Sequence, residues 1–105
     1  MELALQTENK QLCARLRGEL DHHAAGRLRE EIDAALVNGE VKKLILDFSE
    51  VGFMDSSGIG LILGRYKRMQ ARGGTLSVCG ASDRLRQVMQ MAGLQKLHIL
   101  EEEQT

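Results

Sequence analysis

Leu44-Ile45-Leu46-Asp47-Phe48 is a short, nearly continuous apolar run, the pattern of a strand covered on one or both faces rather than a half-wet hairpin strand. Ser49-Glu50-Val51-Gly52 follows with the composition of a turn,. Beyond it, Ile59, Ile62, Leu63, Tyr66 and Met69 recur at helical spacing until Gly73-Gly74, a helix stop signal. A covered strand that leads into an amphipathic helix is the repeating unit of an α/β fold.

The flanks repeat the unit. Upstream, Leu12, Ala14 and Leu16 alternate with Cys13, Arg15 and Arg17 as far as Gly18, and Leu3 to Thr7 can pair with them as an edge strand,. Leu28, Ile32, Ala35 and Leu36 then stand at i, i+4, i+7 and i+8, closed by Asn38-Gly39, which reads as a first helix,. Downstream, Thr75 to Cys79 alternates as a strand, Leu85, Val88, Met89 and Ala92 form a third helical face ended by Gly93, and Leu97-His98-Ile99-Leu100 is expected to close the sheet,. The expected class is α/β: a largely parallel sheet, made mixed by a first hairpin, with helices packed against it.

At 105 residues without linker, repeat or low-complexity stretch beyond Glu101 to Thr105, residues 1–105 read as one domain,. Fourteen Lys plus Arg against fifteen Asp plus Glu give a formal charge of −1. That balance provides no footprint for a phosphate backbone or an anionic membrane, so neither nucleic acid nor membrane is an expected partner. The aromatics are Phe48, Phe53 and Tyr66 alone, too few for a base-stacking platform. No apolar run approaches the roughly 20 residues of a bilayer span, and Met1 to Gln6 lacks a basic signal region; a cytoplasmic protein is expected. Cys13 and Cys79 each sit in an alternating apolar stretch and read as reduced, buried small hydrophobes,.

Phe53-Met54-Asp55-Ser56-Ser57-Gly58-Ile59-Gly60 carries the chemistry. Asp and Ser at a helix start satisfy the orphan backbone donors there, but capping accounts for one residue and leaves the second serine and two first-turn glycines unexplained. Each glycine costs up to roughly 1 kcal/mol relative to Ala, which suggests close approach of a partner surface or a phosphate group. Gly18-Glu19-Leu20-Asp21-His22-His23 lies at another strand-to-helix junction. In a parallel sheet both junctions fall at the C-terminal ends of strands and can share one rim.

Three chemical readings of that rim are weak. Ser56 with a His and an Asp has the composition of a hydrolytic triad but lacks the G-x-S-x-G elbow. His22 and His23, read as loop residues, have no third metal ligand at suitable spacing. Gly58-x-Gly60-x-x-x-Gly64 has its third glycine one position late for a dinucleotide loop. No catalytic residue, metal or cofactor is assigned. Arg65, Lys67 and Arg68 form a small basic face.

In this register the chain resembles the STAS-domain anti-sigma factor antagonists, in particular their sporulation branch. The matching pieces are Gly18 to His23, Phe53 to Gly58 and Ile62-Leu63-Gly64-Arg65-Tyr66-Lys67, with Gly73-Gly74, Val78-Cys79 and Gly93-Leu94 in step. The resemblance spans nearly the whole chain and implies a STAS-like mixed sheet of four or five strands with helices packed mainly on one face. It implies a switch without enzymatic activity of its own: Ser56 accepts phosphate from a partner that is both anti-sigma factor and serine kinase, the unphosphorylated form binds that partner and releases a sporulation sigma factor, and a phosphoserine phosphatase resets it. Asp55, Ser57, Gly58 and Ile59 would shape the helix start, and Asp21, His22, His23 and Arg65 would supply partner contacts. A nucleotide- or small-molecule-sensing STAS module of a larger signalling assembly is the alternative. Family members commonly carry a further C-terminal helix, and none is recognisable before Thr105.

Overall fold

A computed structural model describes residues 1–37 and 39–101. The chain runs β1 (Glu2–Glu8), β2 (Gln11–Leu20), α1 (His22–Leu36), β3 (Lys43–Met54), α2 (Ser56–Ala71), β4 (Thr75–Cys79), α3 (Asp83–Met91) and a 3₁₀ turn (Leu94–Leu97). The sheet order is β1-β2-β3-β4, with β1 antiparallel to β2 and the other neighbours parallel. Asn9 and Lys10 close the hairpin between paired Glu8 and Gln11, both at positive φ (50° and 65°), as a twist-matched two-residue turn requires.

One face of the sheet is dry. Leu12, Ala14, Leu16 and Leu20 of β2, Leu44, Leu46 and Phe48 of β3, and Leu76 and Val78 of β4 are buried in a single core with Leu28, Ile32 and Leu36 of α1, Ile62 and Met69 of α2, and Leu85 and Met89 of α3. The alternate residues Cys13, Ile45, Asp47, Ser77 and Cys79 are half-buried on the other face. The period-2 pattern of the strands therefore puts the helices on one side.

Three expectations are corrected. Ser49-Glu50-Val51-Gly52 is not a turn: β3 continues through it to Met54. The register against β2 shifts between Arg15 and Arg17 and again between Gly18 and Glu19. The Ser49 N–H donates to Asp47 Oδ1 (2.9 Å), and beyond the irregularity Val51 and Met54 are buried again. Such bulges take polar and glycine residues without ending a strand. Residues 97–100 do not form a full closing strand, because Gly93 (φ 86°) and His98 (φ 57°) bracket the 3₁₀ turn in left-handed conformations; what remains is a single parallel bridge of Leu100 to Val78. His22 and His23 belong to the first turn of α1 rather than to a loop. The first helix ends at Leu36, just ahead of the Asn38-Gly39 signal; Asn38 and the tail beyond Glu101 lie outside the described residues.

Candidate functional site

Strands β2 and β3 lie side by side and parallel, so the helices that follow them start side by side. Asp21 caps α1, accepting the Ala24 N–H at 2.9 Å, and Asp55 caps α2, accepting the Ser57 N–H at 2.8 Å. The Asp55 N–H donates to the Leu20 carbonyl at 3.2 Å, tying the second helix start to the end of β2. Ser57 Oγ lies 3.4 Å from His22 Nδ1, which accepts the hydroxyl proton when the imidazole hydrogen is on Nε2. His22 and His23 are both exposed, with ring centroids 6.0 Å apart.

The two serines have different surroundings. Ser57 is half-buried and held from both ends, its N–H on Asp55 and its hydroxyl beside His22. Ser56 is exposed, at the first residue of α2, where the helix dipole favours negative charge,. The rim is acidic: the hydrogen bond from the Ala24 N–H holds the half-buried Asp21 carboxyl below the usual carboxylate range, with His23 acting in the same direction. Ionised carboxylates at such caps suit a cationic partner surface.

Gly58 has an internal explanation. A Cβ at this buried position would stand 2.2 Å from Met54 Cγ and 2.5 Å from its Sδ, with Leu20 Cδ2 at 3.1 Å; the helix start seats on the ends of β2 and β3, and any side chain here would force the buried Met54 to move. Gly60 has no such neighbour. Ile59 is half-buried against the core. Arg65 does not join the rim: it is 6% exposed, between α1 and α2, with Nε 3.0 Å from Asp33 Oδ1. Burial pulls its pKa down, Asp33 opposes that, and Arg68 and Arg29 add to the lowering. Its acid lies on the other helix, which is why helical spacing alone left it on a basic surface.

Phe53 joins the rim without being assigned a role by any motif. It pairs in register with exposed Glu19 and is 51% exposed on the same rim. The available signal was rarity: in a chain with three aromatics, one stands two residues before the capping Asp55. Among the described residues no group of three His, Cys, Asp or Glu side chains could hold a metal ion, and no described helix is long and apolar enough to cross a membrane.

A mixed four-stranded sheet with helices on one face and two aspartate-capped helix starts on one rim defines a STAS module, and the STAS domain family model matches residues 2–104. The chain belongs to that family. Within it, the chain is 37% identical over 99 residues to an anti-sigma F factor antagonist of Paenibacillus polymyxa, covering 92% of this chain and 85% of that protein. It is 44% identical over 80 residues to the anti-sigma F factor antagonist of Lysinibacillus sphaericus, covering 76% and 68%. Among solved structures it is similar to the unphosphorylated form of the anti-sigma factor antagonist SpoIIAA, with a TM-score of 0.86 and 35% identity over 98% of this chain and 89% of that one. The phosphorylated form of the Bacillus SpoIIAA matches with a TM-score of 0.79, over 98% and 92%.

Proposed function

We propose that this chain is an anti-sigma factor antagonist switched by phosphorylation of Ser56. The unphosphorylated form binds an anti-sigma factor that is also a serine kinase and so frees a sporulation sigma factor; the kinase transfers the ATP γ-phosphoryl group to Ser56 Oγ, and a phosphatase removes it. The chain acts as a binding module and kinase substrate. The observation that carries this reading is the division between the two serines: Ser57 is tied to Asp55 and His22, whereas Ser56 is exposed at a helix start that tolerates a phosphate,. The names of the relatives support the partner class, and the solved phosphorylated form of a 35% identical structure supports phosphate control.

Asp21, His22, His23, Asp55 and Ser57 form the partner surface around Ser56, and Gly58 and Ile59 seat the helix that carries it. The test is to incubate the protein with its cognate anti-sigma kinase and ATP and to locate the phosphate by fragment mass spectrometry. A single phosphate on Ser56, absent in Ser56→Ala, is expected. Modification that persists in Ser56→Ala overturns the assignment.

A further inference from the structure

Three helical glycines lack a packing reason. Gly26 of α1 and Gly60 and Gly64 of α2 each have open space where a Cβ would stand, with nothing within 4 Å, although glycine inside a helix costs stability. All three line one groove of about 520 Å³ between α1 and α2, which His22 and Ser57 of the rim also line. Two cations also line it: exposed Arg29 and buried Arg65. Arg65 Nη1 is buried and finds no hydrogen-bond partner among the described residues, and its Nε meets Asp33 at an angle that makes an ion pair but no hydrogen bond. Asp33 is itself shared with Arg68 (3.4 Å). One carboxylate thus faces two guanidinium groups, a third stands nearby, and the trough between the helices carries excess positive charge and an unmet donor.

We infer that this groove is a docking trough for an acidic segment of the partner protein, a second contact patch continuous with the Ser56 rim. The inference rests on the proposed function, since the partner is the anti-sigma kinase. A protein segment fits better than a small molecule: the trough is an open cleft rather than an enclosed cavity of the kind that buries most of a small ligand, and glycine flanks let a partner backbone come close. The two patches are opposite in sign, acidic at Asp21 and Asp55 and basic at Arg29 and Arg65, which fixes the orientation of a complementary partner.

The test titrates the cognate kinase onto the full, unphosphorylated chain and three variants, with melting curves alongside. Gly60→Gln is expected to melt higher yet bind at least about tenfold more weakly, because the new side chain occupies the trough. Arg29→Glu should weaken binding about tenfold or more without changing the melt, and Arg29→Lys should stay within about threefold of wild type. If wild type binds but Gly60→Gln and Arg29→Glu both stay within about twofold of it, the trough is not a contact and the proposed function stands. If wild type does not bind the kinase, both readings fall. Inorganic phosphate alone is the control: phosphate that shifts the Gly26 and Gly60 amide resonances and displaces the kinase identifies a small-anion site and overturns the docking role.

Discussion

Asp21 and Asp55 have nearly the same backbone, φ −98° in both and ψ −176° and −172°, and each caps the helix that follows one of two neighbouring parallel strands. The rim is therefore a duplicated device, with one cap beside the proposed phosphate acceptor and the other a helix away.

The duplication separates stability from binding at Asp21. Asp21→Ala removes the acceptor of the Ala24 N–H and should cost about 1 kcal/mol, a melting temperature lower by roughly 4 to 8 °C. Asp21→Asn keeps a capping oxygen and should hold stability, but without the charge it should lose on the order of 1.5 to 3 kcal/mol of partner binding. Melting and titration of both variants decide this; an Asn variant with full affinity removes Asp21 from the interface.

The depressed Asp21 pKa has a signed consequence. A carboxyl with a folded pKa below its unfolded 3.8 stabilises the fold above that value, and the contribution disappears as pH falls through the folded pKa. Acid unfolding followed by circular dichroism should show the advantage of wild type over Asp21→Ala shrinking below about pH 4 and staying constant above about pH 5.

Gly58 and Gly60 should respond oppositely to alanine. Gly60→Ala enters open space and should stabilise by about 0.5 to 1 kcal/mol. Gly58→Ala drives a methyl to 2.2 Å from Met54 Cγ and should destabilise by about 1 to 3 kcal/mol despite its better helix propensity. Denaturant midpoints measure both, and pairing Gly58→Ala with Met54→Ala should make the two costs clearly non-additive.

The division between these glycines also marks what sequence could show. The caps, the helical stripes and the strand alternation are local patterns, legible because period and end signals lie within a dozen residues. The continuation of β3 past Ser49 depends on its register with β2, the seat of Gly58 on Leu20 of another strand, and the burial of Arg65 on Asp33 of another helix. The missing closing strand turns on the left-handed His98, a conformation unusual for a residue other than glycine,. Strand β2, Leu20 and Asp33 are all distant in sequence from the residues they act on, and nothing in the residue type of His98 announces its conformation.

Cys79 should be a poor nucleophile. Burial and the nearby Asp47 carboxylate push its thiol up to about 11, so at pH 8 only about one molecule in a thousand carries the thiolate, against roughly a quarter for a free cysteine. Alkylation of Cys79 in the folded protein, read by mass spectrometry, should run at least about a hundredfold slower than in the unfolded chain. Comparable rates would mean that the thiol is not held neutral.

Phosphorylating Ser56 should abolish partner binding without unfolding the protein, because one new charge meets two unequal environments. At the first residue of α2 a charge of about −1.5 to −2 faces the positive end of the helix dipole and contributes about 0.3 to 1 kcal/mol in favour of the fold. Ser56 takes no part in the capping bond, which runs from Ser57 to Asp55, so no native contact of that cap is lost. Across a docked interface the same charge faces carboxylates on the rim or the kinase. For a −2/−1 pair about 8 Å apart at an effective dielectric near 20, repulsion is roughly 4 kcal/mol before desolvation is counted, or about a thousandfold in affinity. Melting and titrating both forms side by side decides the matter. The phosphorylated protein should melt at or slightly above the unmodified form and bind the kinase about a thousandfold more weakly. A phosphorylated form that melts several degrees lower would place the switch in the fold rather than at the surface, and one that binds equally well would show that Ser56 phosphorylation is not the switch.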